Sequence, residues 1–331
     1  MKVLVTGATG FLGGRVARRY AELGAEVIGT GRNAEAGAQL EKDGISFAKV
    51  PLRSRDAVIE ACAGTDLVVH CAALSSPWGT KEAFETANVV GTENVLAGCE
   101  RHAVAKLVHI STPSLYMSRK SRFAVRESDP LPPPINEYSR TKRIAEERVD
   151  EASRRGLSIV TLRPRALFGP GDTVIFPRIA RALREKRLPV IGRGDSIVDM
   201  TYIENVADAV LAAADAPEKA AGQKYNITNG EPIRLWDVIA TLAKAMDVPL
   251  PTKRLPFALA WGLAGASEAA YGLMNRLEIR DDEPVLTRYG VAVLSCSLTM
   301  DISAAVRDLG YVPRVTMDEG LENFLRWWKT Q

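Results

Sequence analysis

Glycines 7, 10 and 13 stand directly after the apolar run Val3-Leu4-Val5, in the segment Thr6-Gly7-Ala8-Thr9-Gly10-Phe11-Leu12-Gly13. A strand that turns at once into a helix needs a residue without Cβ where the backbone reverses. The same turn aims the free N–H groups and the positive dipole end of the helix at whatever lies above it, which suits a pyrophosphate. Three glycines in that strand–turn–helix setting predict a dinucleotide site. Gly7, Thr9, Gly10, Phe11, Leu12 and Gly13 are its candidate cofactor-binding residues.

The first 165 residues repeat this rhythm. Short runs rich in Val, Ile and Leu fall at 3–6, 26–30, 46–50, 67–70, 106–111 and 158–163. Helix-length stretches lie between them at 12–23, 34–42, 55–63, 82–102 and 138–155. Apolar strands alternating with helices predict a parallel sheet covered on both faces. The fold class is therefore α/β, a Rossmann-type doubly wound parallel sheet. After Arg163, the breakers Pro164, Gly169-Pro170-Gly171 and Pro177 interrupt the pattern. Helices at 175–185, 203–214, 235–246 and 317–328 then outnumber short strands at 188–191 and 224–227. The expected organisation is a dinucleotide-binding domain over 1–165 and a smaller, mostly α-helical substrate-binding part over 166–331. Some strands and helices of the second part return to the first.

The end of the second strand selects the dinucleotide. An NAD site usually places an acidic residue there for the ribose 2′-hydroxyl, but the chain reads Gly29-Thr30-Gly31-Arg32-Asn33. Gly31 leaves room for a 2′-phosphate and Arg32 offers it a charge-assisted partner. NADP(H) is expected ahead of NAD(H), against the plainer reading of Arg32 as the start of a solvated loop.

The segment Tyr138-Ser139-Arg140-Thr141-Lys142 puts Tyr138 and Lys142 four residues apart, on one face of a helix. A phenol with its usual pKa of about 10 is a poor base at neutral pH. A neighbouring ammonium favours the phenolate, so the pair suits general acid–base work on a carbonyl or hydroxyl oxygen.

With these motifs in place, the chain resembles the extended short-chain dehydrogenase/reductase family, the NAD-dependent epimerase/dehydratase superfamily, over essentially its whole length. The resemblance is carried by the glycine segment, His70-Cys71-Ala72-Ala73, Asn88-Val89-Val90-Gly91-Thr92-Glu93-Asn94 and Ser111-Thr112-Pro113-Ser114-Leu115-Tyr116. It continues through Tyr138 to Lys142, Arg163-Pro164-Arg165-Ala166-Leu167-Phe168-Gly169-Pro170-Gly171 and Leu309-Gly310-Tyr311-Val312-Pro313. It implies a catalytic hydroxyl at Thr112, with Ser111 and Ser114 as alternates, and a helper at Asn88. It implies cofactor contacts at Ala72, Ala73, Lys142, Arg163 and Pro164. It also implies a homodimer built from helices 82–102 and 138–155, the first offering Phe84, Ala87, Val90, Gly91 and Val95. The chain departs from the family after the third strand, where Val50-Pro51-Leu52-Arg53 holds no Asp for the adenine.

Within the family the chain is most similar to the branch of 3β-hydroxysteroid dehydrogenases and bacterial β-keto acid reductases. The rival branch, nucleotide-sugar epimerases and dehydratases, usually carries a diphosphate-binding arginine where this chain has Val198, although Arg193 or Arg178 could stand in. Residues 255–277 are strongly apolar and read as a buried lid or core helix, as a peripheral membrane contact, or as a membrane span, which Glu268 and the glycines weaken. The expectation is a small hydrophobic hydroxy or keto substrate that is 3-keto/3-hydroxy acyl, sterol-like or otherwise lipid-like. The alternatives are a nucleotide-sugar enzyme and a catalytically silent NADP-binding sensor.

Composition narrows the remaining classes. A net charge of +3 over 331 residues, with only Arg119, Lys120 and Arg122 as a basic run that reads as a solvated loop, offers no nucleic-acid face. Four scattered cysteines predict free thiols in a reducing cytoplasm, with Cys71 as buried filling. Three histidines without ligand spacing predict no metal site.

Overall fold

A computed structural model describes residues 1–276 and 283–331. The first half runs β1 (Lys2–Thr6), α1 (Phe11–Glu22), β2 (Glu26–Gly31), α2 (Ala34–Lys42), β3 (Ser46–Lys49), α3 (Arg55–Ala61) and β4 (Leu67–His70). It continues with α4 (Lys81–Phe84), α5 (Gly91–Arg101), β5 (Lys106–Ile110), β6 (Arg122–Val125), α6 (Glu137–Arg154) and β7 (Ile159–Pro164). The second half adds β8 (Leu167–Phe168), α7 (Ile175–Arg184), β9 (Val190–Ile191), β10 (Ile197–Val198), β11 (Thr201–Tyr202), α8 (Ile203–Asp215) and β12 (Lys224–Ile227). It ends with β13 (Ile233–Arg234), α9 (Leu235–Ala245), β14 (Arg254–Leu255), α10 (Phe257–Arg276), α11 (Arg288–Ser295), β15 (Leu298–Met300), α12 (Ser303–Leu309) and α13 (Met317–Trp328).

Seven strands form one parallel sheet in the order β12-β7-β5-β4-β1-β2-β3. Helices cover both faces, so Val3, Leu4 and Val5 are all buried and β1 reads as a continuous apolar run. The strand order reverses between β1 and β4, the place where a doubly wound sheet opens a crevice for a ligand. Residues of the second half return to this body. β12 pairs with β7, while α8 lies against α1 through Arg15–Glu204 and Arg19–Asp208 ion pairs.

Three local expectations change. The predicted helix 82–102 is interrupted, because a π turn at Glu85–Val90 separates α4 from α5. The basic run is only partly a solvated loop. Arg119 and Lys120 are exposed, but Arg122 opens β6 and its guanidinium lies 5.5 Å from the Tyr116 ring centroid. The sheet β13-β10-β15-β6 went unpredicted, since strands of two to four residues are too short to show a period.

In α10, Ala260 and Ala264 are buried while Leu259, Leu263 and Leu273 are at least half exposed. Leu277, the last residue of the predicted lid segment, lies outside the described residues. Among the described residues no helix is long and apolar enough to cross a membrane. All four cysteines are free, and Cys71 is only partly buried.

Candidate active site

The glycine turn has the shape a dinucleotide needs. Gly7 has φ +71°, and a Cβ there would lie 2.8 Å from the Ala72 backbone, across the crevice between β1 and β4. A Cβ on Gly13 would collide with the Gly7 carbonyl, so that glycine lets α1 seat tightly on the turn. The N-terminus of α1 has no side-chain cap and no acidic residue in its first turn. Its amides and dipole are left for an anion, and these residues fit a pyrophosphate. At the neighbouring edge, a Cβ on Gly31 would run into the Thr9 side chain, so the small residue seats Thr9. Arg32 is exposed beside it, with no ion pair among the described residues.

Tyr138 and Lys142 stand one turn apart on α6. Asn136 starts this helix with a capping box, its side chain accepting from the Ser139 amide at 2.9 Å. Burial raises the Tyr138 pKa, while hydrogen bonds from Thr112 and Ser75 pull it down and Tyr289 pushes it up. This corrects the expectation that the lysine lowers the phenol pKa. Lys142 instead directs Nζ to the Ile110 carbonyl at 2.7 Å and lies 3.5 Å from His109 Nε2. Burial brings the lysine down to about 8, with Glu146 and Cys71 opposing. Burial likewise pushes the Cys71 thiol up to about 12.

The three candidate hydroxyls point to different partners. Thr112 Oγ1 accepts from the Ser114 amide at 3.1 Å and its side chain meets Tyr138. Ser114 Oγ lies 3.1 Å from the Tyr289 hydroxyl. Ser111 is buried and faces the Glu146 carboxylate, without a partner at hydrogen-bond distance.

Asn88, in the π turn, ties the β4 loop to α6. Its Oδ1 accepts from the Leu74 amide at 2.7 Å, and Nδ2 donates to Leu74 O at 3.2 Å and Thr141 Oγ1 at 3.0 Å. π turns recur at functional sites, and this one brings Asn88 next to the loop that carries Ser75. Ala72 and Ala73 begin that loop, and the Ala72 amide donates to Thr6 Oγ1 at 3.3 Å. Arg163 spends its guanidinium on a bidentate pair with Glu146 and on the Tyr116 hydroxyl, while Pro164 closes β7 beside it.

Sequence reasoning missed Ser75 and Tyr289. Ser75 lies in an unpatterned loop, and Tyr289 comes from α11 at the far end of the chain, so neither carries a motif. Trp261 and Tyr289 pack with Tyr116 and Met117 in one apolar cluster, which the Tyr289 hydroxyl joins to Ser114. The described residues contain no cluster able to hold a metal ion.

Residues 3–228 match the NAD dependent epimerase/dehydratase family, and the chain belongs to it. It is similar to a 2-alkyl-3-oxoalkanoate reductase of Stenotrophomonas maltophilia (strain K279a), at 37% identity over 97% of this chain and 97% of that one. It is also similar to the 3beta-hydroxysteroid-dehydrogenase/decarboxylase isoform 1 of Arabidopsis thaliana, at 34% identity over 86% of this chain and 67% of the other. Among solved structures it resembles the UDP-glucuronic acid 4-epimerase from Bacillus cereus in complex with NAD. That likeness has a TM-score of 0.78 at 25% identity, covering 100% of this chain and 97% of the other. The protein is an oxidoreductase, a dehydrogenase or reductase of the extended short-chain type.

Proposed function

We propose that the protein is an NADP(H)-dependent reductase or dehydrogenase of a hydrophobic hydroxy or keto compound, with Tyr138 as its general acid–base. The observation that carries this reading is the placing of Tyr138, Thr112 and Ser75 together at the sheet crevice, next to the glycine turn. When bound, the nicotinamide supplies or accepts the hydride. In reduction, Tyr138 gives its proton to the carbonyl oxygen while Thr112 donates a hydrogen bond to that oxygen. In oxidation Tyr138 takes the proton back. Lys142, charged at neutral pH and tethered to Ile110, holds the ribose side of the cofactor. Asn88 and the Arg163–Glu146 pair act as positioning residues. Arg32 takes the 2′-phosphate.

The substrate assignment rests on what surrounds this centre. Leu131, Ile135, Trp261 and Tyr289 pack against Tyr116 and Met117 to form an apolar wall. Val198 is buried and offers no donor. Arg193 is paired with Asp195 at 2.8 Å and Arg178 with Glu283 at 3.1 Å, so each already faces a carboxylate at the surface. The relatives named for 3-oxoalkanoates and 3β-hydroxysteroids agree with an apolar substrate. NADPH consumption with a panel of long-chain 3-oxo esters, ketosteroids and UDP-sugars tests the reading. Activity on the first two supports it; turnover of UDP-sugars alone, followed by chromatography of the products, contradicts it.

The reading includes a homodimer and a peripheral membrane contact. Phe84, Gly91 and Val95 are buried within the monomer, which leaves Ala87 and Val90 for a partner helix. Light scattering that finds only monomer at micromolar concentration contradicts the dimer. The exposed face of α10, with Leu259, Leu263 and Leu273, is the membrane candidate. Absence of the protein from sedimented anionic vesicles contradicts that contact.

A further inference from the structure

The C-terminal half delivers a phenol to the catalytic hydroxyl group. Tyr289 is the second residue of α11, and its hydroxyl lies 3.1 Å from Ser114 Oγ. The Ser114 amide donates to Thr112 Oγ1 at 3.1 Å, and the Thr112 side chain meets Tyr138. Tyr289 therefore stands two side chains away from Tyr138.

The phenol is held firmly in place. Thr287 caps α11, its Oγ1 accepting from the Gly290 amide at 3.0 Å. The Arg288 amide and Nε both donate to Glu268 on α10, at 2.7 and 2.6 Å. The Tyr289 ring rests with Trp261 on Tyr116 and Met117. Residues on rigid, capped elements are suited to fixing a substrate to within fractions of an ångström.

Two hydroxyls that share one hydrogen bond have two protons between them. One is spent in the bond and the other is free to donate. The Ser114–Tyr289 pair thus offers one donor beside, and not at, the oxygen that Thr112 and Tyr138 would hold. It is also uncharged, and Lys142 is buried with its Nζ turned to Ile110. Such a donor suits a neutral acceptor oxygen a short distance along the substrate from the reacting carbon.

We infer that Ser114 and Tyr289 form the subsite for the second oxygen of a 1,3-dioxygenated substrate, the ester or acyl carbonyl two carbons from the reacting ketone. Tyr289 is then a specificity-determining residue. This rests on the ketoreductase reading above and names the substrate feature that reading leaves open.

The test compares two ketones of equal carbon count with NADPH as reductant: a long-chain 3-oxo methyl ester and a plain long-chain ketone. The readout is the ratio of kcat/KM for the ester to that for the ketone, in the wild type, Tyr289→Phe, Ser114→Ala and the double variant. One lost neutral hydrogen bond corresponds to a fall of about three- to tenfold in that ratio, carried mainly by KM. The double variant should fall furthest, because each single variant keeps one hydroxyl proton that can still donate and loses only the partner that orients it. A ratio unchanged in both single variants overturns the subsite, even where both activities drop together, since that is the signature of a merely structural tie. A wild-type protein that reduces neither ketone overturns the ketoreductase reading, and the subsite with it.

Discussion

Lys142 donates its Nζ to the carbonyl oxygen of Ile110 at 2.7 Å, which fixes the ammonium at the end of β5, one turn along α6 from Tyr138. The ammonium is thus held by the sheet before any ligand binds. Tyr138, by contrast, faces neutral hydroxyls, those of Thr112 and Ser75. That division suits a proton donor and a fixed charge that act on one carbonyl from separate supports.

Tyr138→Phe removes the oxygen and little volume. It is expected to lower kcat by about 100-fold or more, the usual contribution of a general acid–base group, while NADP(H) affinity stays near wild type. Steady-state rates and cofactor titration check both halves. Retention of more than about a tenth of kcat contradicts the role given to Tyr138.

Thr112 and Ser111 are adjacent but face different partners, Tyr138 and Glu146 respectively. Thr112→Ala should therefore lower kcat on every substrate, though by less than Tyr138→Phe, because it orients the oxygen without giving up a proton. Ser111→Ala should have a smaller effect on kcat. Greater damage from Ser111→Ala would show that the catalytic hydroxyl is one residue earlier.

The sheet and the glycine turn were legible because their signals are local. Val3, Leu4 and Val5 are apolar since both faces of β1 are covered, and Gly7 is glycine because a Cβ would meet Ala72. Spacing also placed Tyr138 beside Lys142, but it carries no information on desolvation, which is why the phenol is raised and not lowered. Ser75 and Tyr289 were illegible for a different reason. They reach Tyr138 only through tertiary folding, from a loop and a distant helix whose local sequence has no period or motif. The π turn around Asn88 was hidden in the same way, since its residues are ordinary helix formers in pattern.

Arg32 is exposed and unpaired among the described residues, next to Thr9 and Gly31. Arg32→Ala should weaken NADP(H) by about ten- to a hundredfold, the value of one charge-assisted contact, and NAD(H) far less. Parallel titrations of the two cofactors check this. An equal loss for both would mean that Arg32 packs and does not discriminate.

His70 and His109 are buried partners on β4 and β5, with ring centroids 5.4 Å apart. Burial, and then the Lys142 charge, brings His70 down to about 3 and His109 well below its ordinary value. Both are neutral in the folded protein and take up protons on unfolding at acid pH. Their stabilising contribution is complete above about pH 6.5 and is lost progressively as pH falls below it. Each adds up to about 1.4 kcal/mol per pH unit to that loss. His109→Gln should flatten the decline in urea midpoint between pH 6.5 and 4.5. An unchanged slope contradicts the neutral assignment.

The central claim is an apolar pocket around a reductase centre, and the chain-length dependence of kcat/KM tests it most directly. With NADPH and a homologous series of 3-oxo esters, each added methylene should raise kcat/KM by up to nearly fourfold, from about 0.8 kcal/mol of burial, until the pocket is full. Trp261, which stacks on Phe257 at 5.6 Å and packs in the wall, should matter only for the long members. Trp261→Ala is expected to raise KM for those and to leave short substrates nearly unaffected. A flat chain-length profile together with tight inhibition by UDP would contradict the account and assign the site to nucleotide sugars.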